Sequence, residues 1–203
     1  MLAPGHQALG LSSGLIVLTL LPRWGLVPDA PLEAVLFMLF VLFGSLLPDI
    51  DTPRSKLGYH FWRGLIFVLL IAFGCYLFAP DYLDQYRDEL KVFVMLMAPL
   101  LVMVKSHRKM THSLMFIGVL ILYHAVITRF FEVPPYYFFG FITGVVSHLL
   151  GDYLTKRGIP VFYPIFKKHF RFIVTFKTGS SFEKGLVWSL SIWNIWFVVT
   201  QVF

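Results

Sequence analysis

Residues Tyr136–Gly158, YYFFGFITGVVSHLLGDYLTKRG, decide how the rest of the chain is read. As far as Gly151 the stretch is built of apolar and small residues, as expected of a helix crossing a bilayer, and it then turns polar and basic. His148 and Asp152 straddle that change four residues apart, and helical positions i and i+4 share a face. The imidazole and the carboxylate therefore point the same way, which makes them a metal-ligand pair. The plainer reading is a helix-end aspartate beside a core histidine. What decides between the two is whether other ligand-type residues reach the same depth.

The chain as a whole is 58% hydrophobic and 14% charged over 203 residues, with a mean hydropathy of +0.76. A soluble core of this size cannot bury that much apolar surface, so the composition indicates an all-α integral membrane protein. Candidate spans are Ala8–Leu21, Ala34–Leu47, Gly64–Ala79, Val92–Val104, Leu114–Phe131, Tyr136–Gly151 and Gly185–Phe203. About seven transmembrane helices are thus expected, several shorter than the roughly 20 residues that cross the hydrocarbon layer. Pro99 should kink the fourth. No internal repeat, low-complexity tract or soluble insert breaks the pattern, so residues 1–203 read as a single membrane domain. The first run lacks a basic flank and a small-residue cleavage site, and is expected to be a retained helix. The single cysteine, Cys75, lies within an apolar run and excludes an intramolecular disulfide.

Seven alternating spans would put His6, 48–63, 105–113 and 152–184 on one side. That side then holds all of the 17 basic residues except Arg23, Arg87, Lys91 and Arg129. The positive-inside rule makes it cytoplasmic. The net charge of +6 is thereby explained by topology and anionic headgroups, and nucleic acid is an unlikely partner. Most acids fall on the opposite side; those on the basic side are Asp49, Asp51, Asp152 and Glu183.

Four stretches separated by spans therefore converge on the cytoplasmic face: His6 before the first helix, Pro48-Asp49-Ile50-Asp51 after the second, His107 and His112 before the fifth, and His148 with Asp152 ending the sixth. Ionisable groups near a bilayer are costly and face polar interiors, where they pair with one another or with ions. A mixed imidazole and carboxylate set suits zinc first, with manganese or iron also compatible. Each piece has a plainer reading. Asp49 and Asp51 could cap a turn, and His107 and His112 could be solvated beside Arg108 and Lys109. Arg108, Lys156 and Arg157 could set topology or clamp phosphate oxygens, whose geometry a guanidinium fork matches. Glu183, after the turn Gly179-Ser180-Ser181, could be a ligand, a base or a carboxylate at the positive end of the last helix. His60, His124 and His169 are not expected to be ligands.

The stretch Val161–Lys177, VFYPIFKKHFRFIVTFK, interleaves aromatic with basic residues. It reads as a segment lying in the headgroup region, or alternatively as a short strand or hairpin arm over Phe170–Lys177.

With these residues in hand, the chain resembles the YdjM-like family of inner-membrane proteins, described as LexA-regulated, membrane-bound metal-dependent hydrolases. The resemblance is carried by GSLLPDIDTPRSKLG at Gly44–Gly58, HRKMTHS at His107–Ser113 and HLLGDYLTKRGIPVFYP at His148–Pro164, with His6 at the start. It implies a bacterial inner-membrane location, a link to the SOS response, and hydrolysis at the cytoplasmic face. Asp49, Asp51, His107, His112, His148 and Asp152 are the ligands it carries over. The spaced His and Asp pattern is also loosely similar to zinc-dependent phospholipase C and nuclease enzymes, which points to phosphoesters.

The expected function is hydrolysis of a phosphoester in a lipid or lipid-linked substrate by a metal-activated water. Six or seven ligands exceed the need of one four-coordinate ion, so two ions are expected. Catalysis would rest on Asp49, Asp51, His112 and Asp152, and substrate phosphate on Arg108, Lys156 and Arg157. The alternatives are a metal or proton transporter using the same cluster, and a non-catalytic scaffold with a structural metal. Oligomeric state has no signal in the sequence.

Overall fold

A computed structural model describes residues 1–26, 31–50, 56–85, 110–130 and 134–202. Every regular element in these residues is helical: α1 (Ala3–Leu20), a 3-10 turn (Leu21–Trp24), α2 (Pro31–Ile50), α3 (Lys56–Phe78), α4 (Pro80–Gln85), α5 (Leu114–Phe130), α6 (Pro135–Tyr153) and α7 (Ser181–Val202). The expected span Val92–Val104 with Pro99, and the site candidates Asp51, His107 and Arg108, lie outside the described residues.

Two boundaries differ from expectation in ways that matter for the site. Helix α1 begins at Ala3, because Pro4 within the first turn needs no amide partner and its fixed φ suits a helix start. His6 is therefore inside the helix and not ahead of it. Helix α2 runs through Pro48 to Ile50, so Asp49 is helical and does not cap a turn. Pro48 lacks the amide that would bond the Gly44 carbonyl, and its ring crowds the preceding turn. The helix tolerates it because it comes in the last turn.

The residues fall into two compact units, Met1–Pro48 with Lys109–Phe203, and Asp49–Arg108. In the first, α1 packs on both α6 and α7, and α5 packs on α6. Helices α2 and α6 approach so closely that a Cβ on Gly144 would collide with the Val41 carbonyl, and one on Gly44 with the carbonyl of Phe141. Small residues at such crossings let membrane helices pack backbone to backbone. Beside this crossing, Leu21, Phe37, Val41 and Tyr136 form a buried apolar cluster. Polar contacts join α1 to α7: Ser12 Oγ lies 2.8 Å from Asn194 Oδ1, and Asn194 Nδ2 donates to the Ala8 carbonyl at 3.1 Å.

In the second unit, the Trp62 indole donates to the Ile50 carbonyl at 3.0 Å. Helix α3 leaves Phe67, Leu70, Phe73 and Tyr76 more than half exposed, the surface of a helix that faces hydrocarbon. Pro31–Ile50 and Gly58–Phe78 are long and apolar enough to cross a membrane, and Leu114–Arg129 is a shorter apolar helix.

Between α6 and α7 the chain is irregular. Isolated bridges pair Ile159 with Phe170 and Thr155 with Phe176, so the alternation over Phe170–Lys177 forms no regular strand. Gly158 turns the chain at φ 66°, where a side chain would meet the Phe170 carbonyl. The expected turn at Gly179 is present, with φ 79°.

Candidate metal centre

Helix α6 carries His148 and Asp152 on one face as its register demands, with His148 Nε2 3.8 Å from Asp152 Oδ2. His148 is fully buried. Its Nδ1 lies 2.7 Å from the Ser45 carbonyl oxygen of α2. A carbonyl only accepts, so Nδ1 is the donor and the Nε2 lone pair faces the other way. Ser45 lies in the turn of α2 just before Pro48.

The Nε2 of His148 faces His112, whose Nε2 is 3.3 Å away. His112 precedes α5, and its Nδ1 is 3.1 Å from the Thr111 hydroxyl, which in turn reaches the Pro48 carbonyl at 3.5 Å. With that hydroxyl donating to Pro48, its oxygen accepts from His112 Nδ1–H. The same tautomer results, with Nε2 aimed at His148. Asp152 Oδ2 stands 3.7 Å from His112 Nε2 and completes the triangle. Three potential donor atoms thus converge from two chain segments, α6 and the residues before α5, a group that could hold a cation.

The spacing can be compared with that of a four-coordinate ion. Ligands about 2.0–2.1 Å from a tetrahedral ion stand about 3.3–3.4 Å from one another. One observed edge, 3.3 Å, matches that separation, and the two to the carboxylate, 3.7 and 3.8 Å, are somewhat longer. The backbone carbonyl behind His148 and the hydroxyl behind His112 are partners of the kind that orient imidazoles in metal sites.

His6 enters from α1. Its ring is fully buried and stacks on His148 with centroids 3.7 Å apart and planes 10° from parallel. His6 Nε2 is 3.2 Å from Asp152 Oδ1 but off the direction of a hydrogen bond, and neither ring nitrogen has a hydrogen-bond partner among the described residues. The Met1 ammonium also lies against Asp152 Oδ1. Two unsatisfied nitrogens in a buried ring are costly unless something binds them.

Of the expected residues, His6, His112, His148 and Asp152 are thus brought together. Asp49 is half-buried in the last turn of α2, one helical turn after Ser45. Lys156 and Arg157 follow α6 with exposed side chains. Glu183, only 2% exposed, accepts from the Leu2 amide at 2.6 Å through Oε1 and from the Gly179 amide at 2.7 Å through Oε2. Its carboxylate thereby fastens the starts of α1 and α7, next to the Ser180 hydroxyl that reaches the Glu183 amide at 3.4 Å. Among the histidines not expected to be ligands, His60 and His169 are exposed and His124 lies against Phe138.

Two participants had been missed. Thr111 could have been found from its place beside His112, whereas the Ser45 carbonyl leaves no mark in a sequence.

A helical membrane protein in which buried histidines from separated segments converge on an aspartate is the class these observations define. The family model described as YdjM inner membrane protein matches residues 1–202. The chain belongs to the YdjM inner membrane protein family. It is 27% identical over 180 residues to the inner membrane proteins YdjM of Escherichia coli (strain K12) and Shigella flexneri, an alignment covering 85% of this chain. The chain spans 66% of the length of these relatives. No solved structure matches it. Its relatives' names place the chain in the bacterial inner membrane.

Proposed function

We propose that this protein is a metal-dependent hydrolase that cleaves a phosphoester of a lipid or lipid-linked substrate at the cytoplasmic face of the inner membrane. The observation that carries the reading is the pair of tautomers fixed by Ser45 and Thr111, which aim His148 Nε2 and His112 Nε2 at one point beside Asp152 Oδ2. Zinc fits this nitrogen and oxygen donor set first, and manganese or iron next. When bound, a divalent ion supplies Lewis acidity and lowers the pKa of a coordinated water toward 7.

The residues of the chain then divide the remaining work. His148, His112 and Asp152 hold the ion, and His6 adds a fourth donor from α1. Asp49, Asp51 and His107 are the further ligands that a second ion would use. Asp152 and the other carboxylates offset metal charge in a setting where water is scarce. Lys156 and Arg157, exposed just past α6, meet phosphate oxygens together with Arg108. With the seven spans and cytoplasmic basic loops that the sequence predicts, this constellation would lie at the cytoplasmic headgroup layer, where a lipid phosphoester arrives by lateral diffusion.

The test is metal analysis of purified protein, coupled to release of phosphate or headgroup from a panel of phospholipids and lipid-linked phosphates. Stoichiometric metal with turnover that disappears in His148→Ala and Asp152→Ala is the expected result. Stoichiometric metal with uptake into proteoliposomes and no hydrolysis of any panel member would replace the enzyme by a transporter.

A further inference from the structure

The segment between α6 and α7 was left unused by the metal centre. Ile173 is 95% exposed, Ile165 79%, Val174 73% and Phe166 59%. Lys167, Lys168, Arg171 and Lys177 alternate with them and are exposed as well, and no acidic residue occurs from Val161 to Lys177. The segment is nevertheless firmly built. Ile159 and Phe170 exchange backbone hydrogen bonds of 2.9 and 2.8 Å, Phe172 donates to the Tyr153 carbonyl at 3.0 Å, and Phe176 donates to that of Leu154 at 3.2 Å. Its other end is held by the Leu114 amide, which donates to the Val161 carbonyl at 2.9 Å.

Two physical limits fix where such a loop can rest. An irregular backbone exposed to hydrocarbon would leave amides and carbonyls unpaired, so the loop cannot enter the bilayer core. Four large aliphatic and aromatic side chains standing out in water form an apolar surface that water disfavours. The headgroup layer satisfies both, because backbone and cations remain hydrated while apolar tips reach the acyl boundary.

We infer that Val161–Lys177 is a docking loop for the surface of an anionic phospholipid bilayer. The exposed Ile165-Phe166 and Ile173-Val174 tips enter the acyl boundary, and Lys167, Lys168, Arg171 and Lys177 bind the lipid phosphates. The partner is assigned by charge complementarity, since the loop carries cations without a single compensating acid, and by continuity with a chain already seated in the membrane. The loop is hydrogen-bonded to the last turn of α6, which carries Asp152, and to the first residue of α5, two beyond His112. Docking therefore fixes the headgroup layer at the rim of the metal centre. The inference stands whether or not that centre hydrolyses anything.

The experiment places an environment-sensitive fluorophore at Ile173→Cys, in a Cys75→Ser background, in the full chain reconstituted into nanodiscs of phosphatidylcholine with or without phosphatidylglycerol. In the anionic discs the label is expected to shift to the blue, resist iodide and be quenched by nitroxide-bearing lipid. Combining Lys167→Gln, Lys168→Gln and Arg171→Gln should lower the ratio of protected to water-exposed label by roughly five-fold per removed charge. A label at Ile165→Cys serves as a second reporter against local misfolding at one position. Equal access of iodide to both positions in both lipid mixtures overturns the inference. So does protection that arises only when a second copy of the chain occupies the disc, which would make this surface a contact between copies.

Discussion

His148 donates from Nδ1 to the Ser45 carbonyl oxygen across 2.7 Å, and this hydrogen bond decides the chemistry of the other ring nitrogen. It fixes the tautomer with the Nε2 lone pair facing His112 and Asp152. A histidine in a helix could serve as packing, proton carrier or ligand. Here the acceptor comes from α2, from the turn that precedes Pro48.

Thr111 does for His112 what the Ser45 carbonyl does for His148. Thr111→Val keeps the shape but removes the hydroxyl between His112 Nδ1 and Pro48. Metal affinity is expected to fall by roughly 10–100-fold, the usual consequence of losing an outer partner of a ligating histidine. Competition with a graded series of chelators measures it. Unchanged affinity would mean that the hydroxyl does not orient the ring.

Glu183 is expected to act in stability and not in coordination. Glu183→Ala leaves the Leu2 and Gly179 amides without their carboxylate oxygens, at a cost of about 1 kcal/mol for each hydrogen bond lost. Thermal unfolding in detergent should show a clear drop in midpoint, while metal content at saturating metal stays at the wild-type value. A variant of normal stability that binds less metal would turn Glu183 into a ligand.

Gly144 is expected to tolerate no side chain. Gly144→Leu would force α2 and α6 apart at the Val41 carbonyl, and overpacking of this kind costs about 1–3 kcal/mol or more. Because the same two helices carry Ser45 and His148, metal affinity should decline together with stability. Gly74→Leu is the control, since nothing lies within 4 Å of a Cβ built there. Equal behaviour of the two variants would show that close helix approach is unimportant.

Gly158→Ala places a side chain at φ 66° and against the Phe170 carbonyl. The left-handed conformation alone costs roughly 1–2 kcal/mol. Limited proteolysis should become faster within 159–177 and leave α6 and α7 intact. Cleavage at the wild-type rate would show that the turn adapts without loss.

Much of this was legible in the residues. Composition and span-length apolar runs identified an all-helical membrane protein, because lipid leaves backbone groups few ways to be satisfied. The i and i+4 spacing of His148 and Asp152 fixed a shared face, and α6 presents them so. The boundaries were harder. His6 was expected before a helix and Asp49 after one, since proline and charge usually mark an end. Both are helical, because Pro4 stands in a first turn and Pro48 in a last one, where a missing amide costs little. The alternation in Phe170–Lys177 left a strand or hairpin arm open as the alternative to a headgroup-layer segment, but isolated bridges give those residues no continuous partner.

The sequence by itself determined the medium, the helical class and the shared face of His148 and Asp152, since all of these follow from local residue type and spacing. Only the tertiary structure decided that His6 stacks on His148, that His112 faces the same point, and that Glu183 ties two helix starts. Those relationships join residues 36 to 181 positions apart, and which amide or carbonyl meets which side chain depends on how the helices cross.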